Sequence, residues 1–311
     1  MKFELTILGS GSSIPTSNRN SAAQVLHVLG RYFLIDCAEA TQHQLRPFHV
    51  PYNKINHIFI SHLHGDHFFG LIGFLSTLSL QGRRGEMHIY AEPRLQELIG
   101  CQMKILHSRF TFPLFFHALS RREEVIYEDK VVTVTAFPLK HHYDTPVSGF
   151  LFREKERERT ILKDRTAAWN VPIAFMQYLK RGEDFITPEG EIVANELLTV
   201  APPPARSFAY MTDTLFRERF ADYVKGVDLL YHEATYMNAD AVLAKESYHS
   251  TTGQAARIAE LAGVGKLLLG HFSARYTECS ELLAEAREVF PNTFLCSDGD
   301  LFEVPAVKRR S

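Results

Sequence analysis

The stretch Ser61-His62-Leu63-His64-Gly65-Asp66-His67 carries three histidines and one aspartate. It follows the apolar run Ile58-Phe59-Ile60, which predicts a buried strand. A strand that ends in polar residues beside a glycine delivers their side chains to the edge of a sheet, where open α/β layers bind ligands. Imidazole and carboxylate groups suit zinc, so the stretch predicts a metal site.

The spacing of these side chains predicts how two ions would share them. His62 and His64 can point to one ion, and His67 can close the same shell one turn later. Asp66 faces another way and can reach a second ion. The alternative is a polar loop that is rich in histidine by chance, which is improbable for four ligand-type groups this close together.

Length and composition are those of an ordinary globular protein. The 311 residues suffice for one large domain or two small ones, and the hydrophobic content of 45% and charged content of 23% are typical. A formal net charge of −2 gives no support to nonspecific nucleic-acid binding. Any polyanion partner has to be argued from the site itself.

Targeting signals and cysteine spacing favour a cytoplasmic protein. The sequence has no apolar run of membrane-spanning length, and its N-terminus lacks the apolar core and cleavage site of a signal peptide. The four cysteines show no C-x-x-C spacing, which suits reduced thiols. We therefore expect no membrane partner.

Elsewhere the chain predicts alternating strands and helices. Strands are predicted at residues 3–8, 24–29, 32–35, 87–91, 131–137, 207–212, 227–232, 266–269 and 293–296. Helices are predicted at residues 69–80, 95–106, 252–262 and 281–290, with a short one opening at 36–39. This order favours α/β layers packed sheet on sheet with helices outside.

Residues 153–205 break this pattern. The segment begins with a run of mixed charge at residues 153–159 and closes at Pro202-Pro203-Pro204. It predicts an insertion or protruding arm with helical stretches near residues 160–169 and 173–180. Its candidate contacts to a substrate are Arg153, Lys155, Arg157 and Arg159. Those four could equally be the solvated face of a helix.

Three later strand ends supply further candidate ligands. His141 follows one predicted strand, Asp213 a second and His271 a third. A single residue in such a position is usually structural, so these three gain weight only in combination with the first motif. Asp213 is the natural bridge, because only a carboxylate can place one oxygen on each ion.

Several motifs together match a known family. The block at residues 58–67 is joined by Leu8-Gly9-Ser10-Gly11 with Pro15, Arg19, Asn20 and Ser21, by residues 36–42, and by residues 231–236, 249–251 and 270–276. With these motifs the chain resembles the metallo-β-lactamase superfamily and, more narrowly, the ribonuclease Z group of tRNA 3′-processing endonucleases. The resemblance covers about residues 3–304.

The resemblance implies an α/β fold in which two mixed sheets pack face to face with helices outside, the αββα sandwich. Residues 1–311 would form one such domain, with residues 153–205 as an inserted tRNA-binding arm. It also implies two zinc ions per chain and a homodimer. Acidic residues slightly outnumber basic ones in the arm, so its grip on tRNA must come from the placement of charge.

The resemblance also assigns roles to single residues. In the first zinc site it places His62, His64 and His67, in the second Asp66 and His271, and in contact with both ions or completing their shells His141 and Asp213. Glu233 and His249 match a pair that protonates the leaving group. Asp36 and Glu39 match residues that orient the metal loop, and His232 is expected to be structural.

The stretch after the fourth histidine departs from the family. His141 and His142 are adjacent, and the run from His141 to Ser148 and Gly149 is longer than the usual spacing. We favour His141 as the ligand, because the preceding Pro138-Leu139-Lys140 matches the end of the family's strand. His142 is the alternative ligand.

The implied activity is endonucleolytic removal of the 3′ trailer from precursor tRNA. A hydroxide that bridges the two ions would attack the phosphodiester, leaving a 3′-hydroxyl on the tRNA and a 5′-phosphate on the trailer. The first alternative is a di-zinc hydrolase of small phosphodiesters, esters or lactones, which usually lacks the arm and the Glu233–His249 pair. The second is a nucleic-acid-binding protein without turnover, which would have lost ligands.

Overall fold

The computed structural model describes residues 2–304. Within that part, one compact unit runs up to Arg153 and resumes at Arg206, and a second unit runs from Glu154 to Ala205. The strands are β1 (Phe3–Gly9), β2 (Ala23–Val28), β3 (Arg31–Ile35), β4 (Ile55–Phe59), β5 (Met87–Ala91), β6 (Leu114–Ala118), β7 (Glu124–Glu128), β8 (Val132–Leu139), β9 (Val147–Glu154), β10 (Thr160–Ile161), β11 (Phe185–Ile186), β12 (Ile192–Val193), β13 (Thr199–Val200), β14 (Ser207–Met211), β15 (Leu229–Glu233), β16 (Leu267–Gly270), β17 (Thr293–Leu295) and β18 (Leu301–Glu303).

The α-helices are short, and the longest has 12 residues. They are α1 (Thr41–Gln44), α2 (Gly65–Phe68), α3 (Leu71–Leu80), α4 (Arg94–Ile105), α5 (Lys163–Ala168), α6 (Met176–Arg181), α7 (Asn195–Leu198), α8 (Ala241–Glu246), α9 (Thr252–Ala262) and α10 (Ser280–Val289). Single 3₁₀ segments lie at Tyr52–Lys54, Ile173–Phe175, Glu218–Val224 and Asn238–Asp240. None of the helices in residues 2–304 has the length and apolar character that crossing a bilayer requires.

Two seven-stranded sheets form the larger unit. The first has the order β18-β1-β2-β3-β4-β5-β6 and the second β17-β16-β15-β14-β9-β8-β7. Both sheets are mixed, with β3 to β6 parallel in the first and β14 to β17 parallel in the second. The expected α/β sandwich of two mixed sheets is confirmed.

Alternating side chains build separate apolar layers on the two faces of each sheet. In β3, Phe33 and Ile35 enter the core between the sheets, whereas Leu34 faces the helices. Phe33 meets Phe152 of the second sheet with ring centroids 5.5 Å apart. Each fully buried phenylalanine stabilises the fold by about 1.5–3 kcal/mol. Because side chains alternate with a period of two, one face of each sheet packs against the other sheet and the opposite face packs against helices.

The helices cover the outer faces of both sheets. Leu71, Phe74 and Leu95 of α3 and α4 pack on the first sheet. On the second sheet, α9 contributes a row of buried alanines. Its predicted bounds are confirmed, because Thr251 and Gln254 form a reciprocal capping box at its start and Gly263 ends it in a left-handed conformation.

The topology brings several strand ends to one edge. Asp36 follows β3 directly, and the motif at residues 61–67 follows β4, which is parallel to β3. In the second sheet, Asp213 and His271 follow β14 and β16, while Glu233 ends the strand between them. Parallel neighbours end at the same edge, so distant parts of the sequence meet there.

Some sequence expectations were incomplete. The strands β6, β7, β9 and β18 and the short strands β10 to β13 were not predicted, although Phe150 and Phe152 of β9 are buried. The sequence obscured β9 because it runs directly into the charged stretch. The helix expected to open at residues 36–39 begins at Thr41, because Asp36 and Ala40 adopt left-handed backbone angles that no α-helix contains.

The smaller unit has its own apolar core of five buried side chains. These are Val171, Leu179, Phe185, Val193 and Leu198. Two short antiparallel pairs, β10 with β13 and β11 with β12, frame the helices α5 to α7. The helix expected over residues 160–169 is therefore preceded by a strand. The unit is a packed miniature fold and not a single charged helix.

Candidate metal centre

Four side chains from both sheets form a first group of potential ligands. His62, His64, His141 and Asp213 present ligand atoms that all lie within 4.8 Å of one another. Apart from His64, which is half-buried, these residues are buried. The Nε2 atom of His62 lies 3.5 Å from Asp213 Oδ2, and that of His141 lies 4.0 Å from the same oxygen.

A second group consists of Asp66, His67 and His271. The Nε2 atoms of His67 and His271 are 3.3 Å apart, and each lies 3.6 Å from Asp66 Oδ2. The expectation that His67 completes the first group with His62 and His64 is therefore wrong. His67 lies in α2, one helical turn beyond the extended stretch, so its ring turns toward His271.

Asp213 stands between the two groups. Its Oδ2 faces His62 and His141, while its Oδ1 lies 3.3 Å from His67 Nε2 and 3.2 Å from His271 Nε2. The backbone of Asp213 is left-handed, with φ of +40°. Such a conformation costs about 1 kcal/mol or more outside glycine. The carboxylate thereby offers one oxygen to each group.

The chemistry of these residues fits divalent cations. The Nε2 atom of His62 is buried without a hydrogen-bond partner among residues 2–304, and it lies 3.5 Å from Asp213 Oδ2. Burial lowers the pKa of His64 and of His141 to about 4, which keeps both rings neutral as ligands must be. Burial opposes a charge on His67, yet the carboxylates of Asp213, Asp36 and Asp66 raise its pKa well above the usual range. The converging carboxylates favour positive charge here.

Asp36 orients the motif at residues 61–67 through hydrogen bonds. Its Oδ2 accepts hydrogen bonds from His67 Nδ1 at 2.7 Å, from Ser61 Oγ at 2.9 Å and from Tyr210 Oη at 2.8 Å. The backbone N–H of Ser61 donates to Oδ1 at 2.7 Å. Ser61 Oγ in turn lies 3.1 Å from His62 Nδ1. With Nδ1 as the donor, the Nε2 of each histidine stays free for a cation.

Two further partners orient the histidines that follow later strands. His141 Nδ1 donates to the backbone carbonyl of Tyr248 at 2.9 Å. Tyr248 has a φ of +58°, and this left-handed turn aims the carbonyl at the ring. His271 Nδ1 lies 3.0 Å from Thr235 Oγ1, which donates to Glu233 Oε2 at 2.6 Å. Sequence reasoning missed Tyr248 and Thr235, since nothing in their residue types signals these contacts.

Glu233 and His249 form a buried ion pair. His249 Nδ1 donates to Glu233 Oε1 at 3.0 Å, and that oxygen also accepts from the Thr214 N–H at 2.7 Å. Burial disfavours the charge on His249, but the Glu233 carboxylate outweighs it and raises the pKa of His249 to about 9. Burial would also raise the pKa of Glu233, yet the charge on His249 lowers it to about 2. The pair is ionised at neutral pH.

The imidazole of His249 lies close to histidines of both ligand groups. Its ring centroid is 5.0 Å from that of His141 and 5.5 Å from that of His271. His249 also joins Asp213 and His271 within ligand distance of one another. Because Nδ1 is engaged by Glu233, the remaining nitrogen is available either to a substrate or to a cation.

The positions of His142, His232 and Glu39 bear on three other expectations. His142 is exposed and belongs to neither ligand group, whereas its neighbour His141 does. His232 is buried and donates to the backbone carbonyl of Glu233 at 2.7 Å, as a structural residue would. Glu39 is exposed and makes no hydrogen bond to the metal-site residues among those described, so its expected role in orienting the loop is not supported.

The four predicted basic contacts of the arm are all half-buried. Arg157 lies 3.4 Å from the buried carboxylate of Glu154, and Arg159 Nε donates to Thr199 Oγ1 at 2.7 Å. Part of this charge therefore serves the unit's own packing. Exposed basic residues lie instead on α5 and α6, namely Lys163, Arg165, Lys180 and Arg181, and Lys180 pairs with Glu158 at 3.2 Å.

Comparisons with known proteins agree with this geometry. A family model described as Anti-Pycsar protein Apyc1 matches residues 3–168. Ribonuclease Z of Bacteroides fragilis (strain YCH46) is 46% identical over 298 residues, which cover 96% of this chain and 97% of that protein. Ribonuclease Z of Phocaeicola vulgatus is 39% identical over 308 residues, covering 99% of each.

Solved structures show the same fold. The short form of human tRNase Z superimposes with a TM-score of 0.69 at 27% identity, covering 97% of this chain and 99% of that one. The metallo-β-lactamase fold protein YhfI from Bacillus subtilis gives a TM-score of 0.68 at 19% identity, covering 97% and 98%. The chain also matches the Apyc1 family model, and its candidate metal centre lies at the strand ends of a metallo-β-lactamase fold. It belongs to the ribonuclease Z family.

Proposed function

We propose that this protein is an endoribonuclease that removes the 3′ trailer from precursor tRNA with the help of two zinc ions. The main support is the 46% identity to a ribonuclease Z over 96% of the chain, arm included, together with a full set of ligand-type side chains. Nitrogen and oxygen donors of this kind suit zinc.

The proposed ligands divide as the two groups do. One ion would be held by His62, His64 and His141, the other by Asp66, His67 and His271, and Asp213 would touch both. When bound, such ions lower the pKa of water toward about 7 and stabilise charge on a phosphodiester. Asp36, Tyr248 and Thr235 would keep the ligand nitrogens aimed inward.

The residue proposed to assist the leaving group is His249. Cleavage that leaves a 3′-hydroxyl on the tRNA requires a proton on the departing ribose 3′ oxygen. His249 is protonated at neutral pH, and the nitrogen not bound to Glu233 is free to donate. The proton would pass from His249 to the 3′ oxygen as the phosphorus–oxygen bond breaks. Glu233 acts through His249 as a positioning residue.

Substrate binding beyond the site is proposed for the unit at residues 154–205. Its exposed basic residues Lys163, Arg165 and Lys180 can contact phosphates, and Arg153 and Lys155 remain candidates.

We also propose a homodimer. Light scattering should then give twice the 35.4 kDa of one chain, and a monomer at working concentration would contradict it.

The test is a cleavage assay with mapped ends. Metal-free protein reloaded with zinc should cut a 3′-extended precursor tRNA next to the position where the trailer begins, and the tRNA fragment should end in a hydroxyl. Bis(p-nitrophenyl) phosphate serves as the substrate that needs only the metal centre. Activity on that compound without any cut in precursor tRNA would favour the alternative, a hydrolase of small phosphodiesters.

A further inference from the structure

A cluster of aromatic and basic side chains lies next to the metal centre, and the chemistry above uses none of these side chains, only the backbone carbonyl of Tyr248. The Tyr143 cluster consists of Lys140, His142, Tyr143 and Tyr248. The ammonium of Lys140 lies 6.0 Å from the ring centroid of Tyr143 and 5.9 Å from that of Tyr248. The rings of His142 and Tyr248 are 4.8 Å apart. One cation therefore lies at the outer limit of cation–π distance from two aromatic rings.

Packing does not account for Tyr143. Its side chain is 85% exposed, so it removes little apolar area from water. Exposed aromatic rings next to basic groups are what single-stranded nucleic acid requires, because every base has a face that can stack. Lysine adds the phosphate contact.

The cluster adjoins the proton donor. Tyr248 directly precedes His249, and its carbonyl holds the neighbouring ring of His141. The ring of His142 lies 6.2 Å from that of His64 in the first ligand group. The cluster therefore adjoins both His249 and the first ligand group, within reach of a nucleotide whose 3′ oxygen approaches His249.

The sequence gives an independent reason to single out Tyr143. It lies between His141 and Gly149, in the run that is longer than the usual spacing of the ribonuclease Z group. The extra length produces an exposed turn at residues 142–144. Packing does not explain why this turn exposes a tyrosine to water.

We propose that the Tyr143 cluster is a nucleotide subsite for the residue on the 5′ side of the cut, the last nucleotide of the mature tRNA body. Its base stacks on the ring of Tyr143, and the ammonium of Lys140 contacts the adjoining backbone phosphate. This inference rests on the proposed function, because it needs an RNA substrate with that polarity.

The test is a cycle of two proteins and two substrates. Wild type and Tyr143→Ala are compared on a precursor tRNA and on the same RNA with an abasic nucleotide immediately 5′ of the cut. With the base present, Tyr143→Ala should lower kcat/KM by about 5- to 150-fold, the range known for one stacked base. With the base absent, the two proteins should differ by less than about 3-fold, since no stacking remains to be lost.

Matched variants separate stacking from folding. Tyr143→Phe keeps the ring and should behave as wild type on both RNAs. Phe115→Ala removes another exposed aromatic ring, on β6 at the edge of the first sheet. It should leave kcat/KM unchanged on both RNAs. Lys140→Gln should weaken the binding of both RNAs to the same extent. It should also reduce the salt dependence of binding by about one phosphate contact.

The outcomes are distinct. Equal losses for Tyr143→Ala on the intact and abasic RNAs, or no loss on either, would overturn the subsite. Zinc content and melting temperature of Tyr143→Ala show whether an equal loss comes from a distorted loop. If wild type hydrolyses bis(p-nitrophenyl) phosphate but cuts no precursor tRNA, the proposed function itself fails, and the subsite fails with it.

Discussion

Replacing Asp36 with asparagine should weaken zinc binding, although the two side chains have nearly the same shape. All four partners of this buried carboxylate donate to it: Ser61 N, Ser61 Oγ, His67 Nδ1 and Tyr210 Oη, at 2.7 to 2.9 Å. An amide offers only one accepting oxygen. Either orientation of Asn therefore places an NH₂ group against a donor.

The two orientations fail in different ways. If the amide nitrogen replaces Oδ1, it opposes the N–H of Ser61, and a buried donor without a partner costs about 1–3 kcal/mol. If it replaces Oδ2, His67 must accept on Nδ1 and carry its proton on Nε2, the nitrogen that faces Asp213 at 3.3 Å. That tautomer cannot bind a cation. Loss of such an orienting partner typically lowers metal affinity about 10- to 100-fold, or about 1.4–2.8 kcal/mol.

Asp228 supplies a matched control, because it precedes β15 at the end opposite Glu233. It is also buried, and its Oδ2 accepts from Ser207 N at 2.7 Å and Ser207 Oγ at 2.8 Å, but it touches no histidine ligand. Zinc affinity is measured by competition with a chromophoric chelator, and the stability of the metal-free proteins by urea unfolding. Both variants should lose stability, but only Asp36→Asn should lose affinity. An unchanged zinc affinity in Asp36→Asn, with stability lowered as in Asp228→Asn, would refute the tautomer argument.

Four further predictions concern the chemistry and the arm. His249→Ala should keep both metals and lose kcat on precursor tRNA by about 10²–10⁴-fold, with much smaller losses on bis(p-nitrophenyl) phosphate, whose leaving group needs no proton; metal loss by elemental analysis would make His249 a ligand instead. Glu233→Ala should cost less, and the double variant barely more than His249→Ala, because the two act as one unit. His141→Ala should lose metal and activity, while His142→Ala keeps its metal and hydrolyses bis(p-nitrophenyl) phosphate within about 3-fold of wild type, since only His141 lies in a ligand group. Deleting residues 155–200 should spare the small substrate and raise KM for precursor tRNA, because remote binding is lost; unimpaired tRNA processing would exclude this unit as the binding arm.

The sequence alone was sufficient to predict the fold and most members of the site. Ligands that follow a strand sit on a short local segment, so the spacing of His62, His64 and Asp66 could be interpreted without any knowledge of the rest. Alternating apolar residues predicted most strands for the same local reason. The strand β9 was not predicted, because it continues into the charged run that opens the second unit.

The sharing of ligands and their orientation depended on the tertiary structure. His67 was expected to share a ligand group with His62, and its ring does lie beside that of His62, but its Nε2 atom faces His271, a residue about two hundred positions away. The carbonyl of Tyr248 that fixes His141 is a backbone group, identical in every residue type, so sequence carries no trace of it. Side-chain chemistry is written in the sequence, whereas backbone direction and long-range contacts arise only when the two sheets pack together.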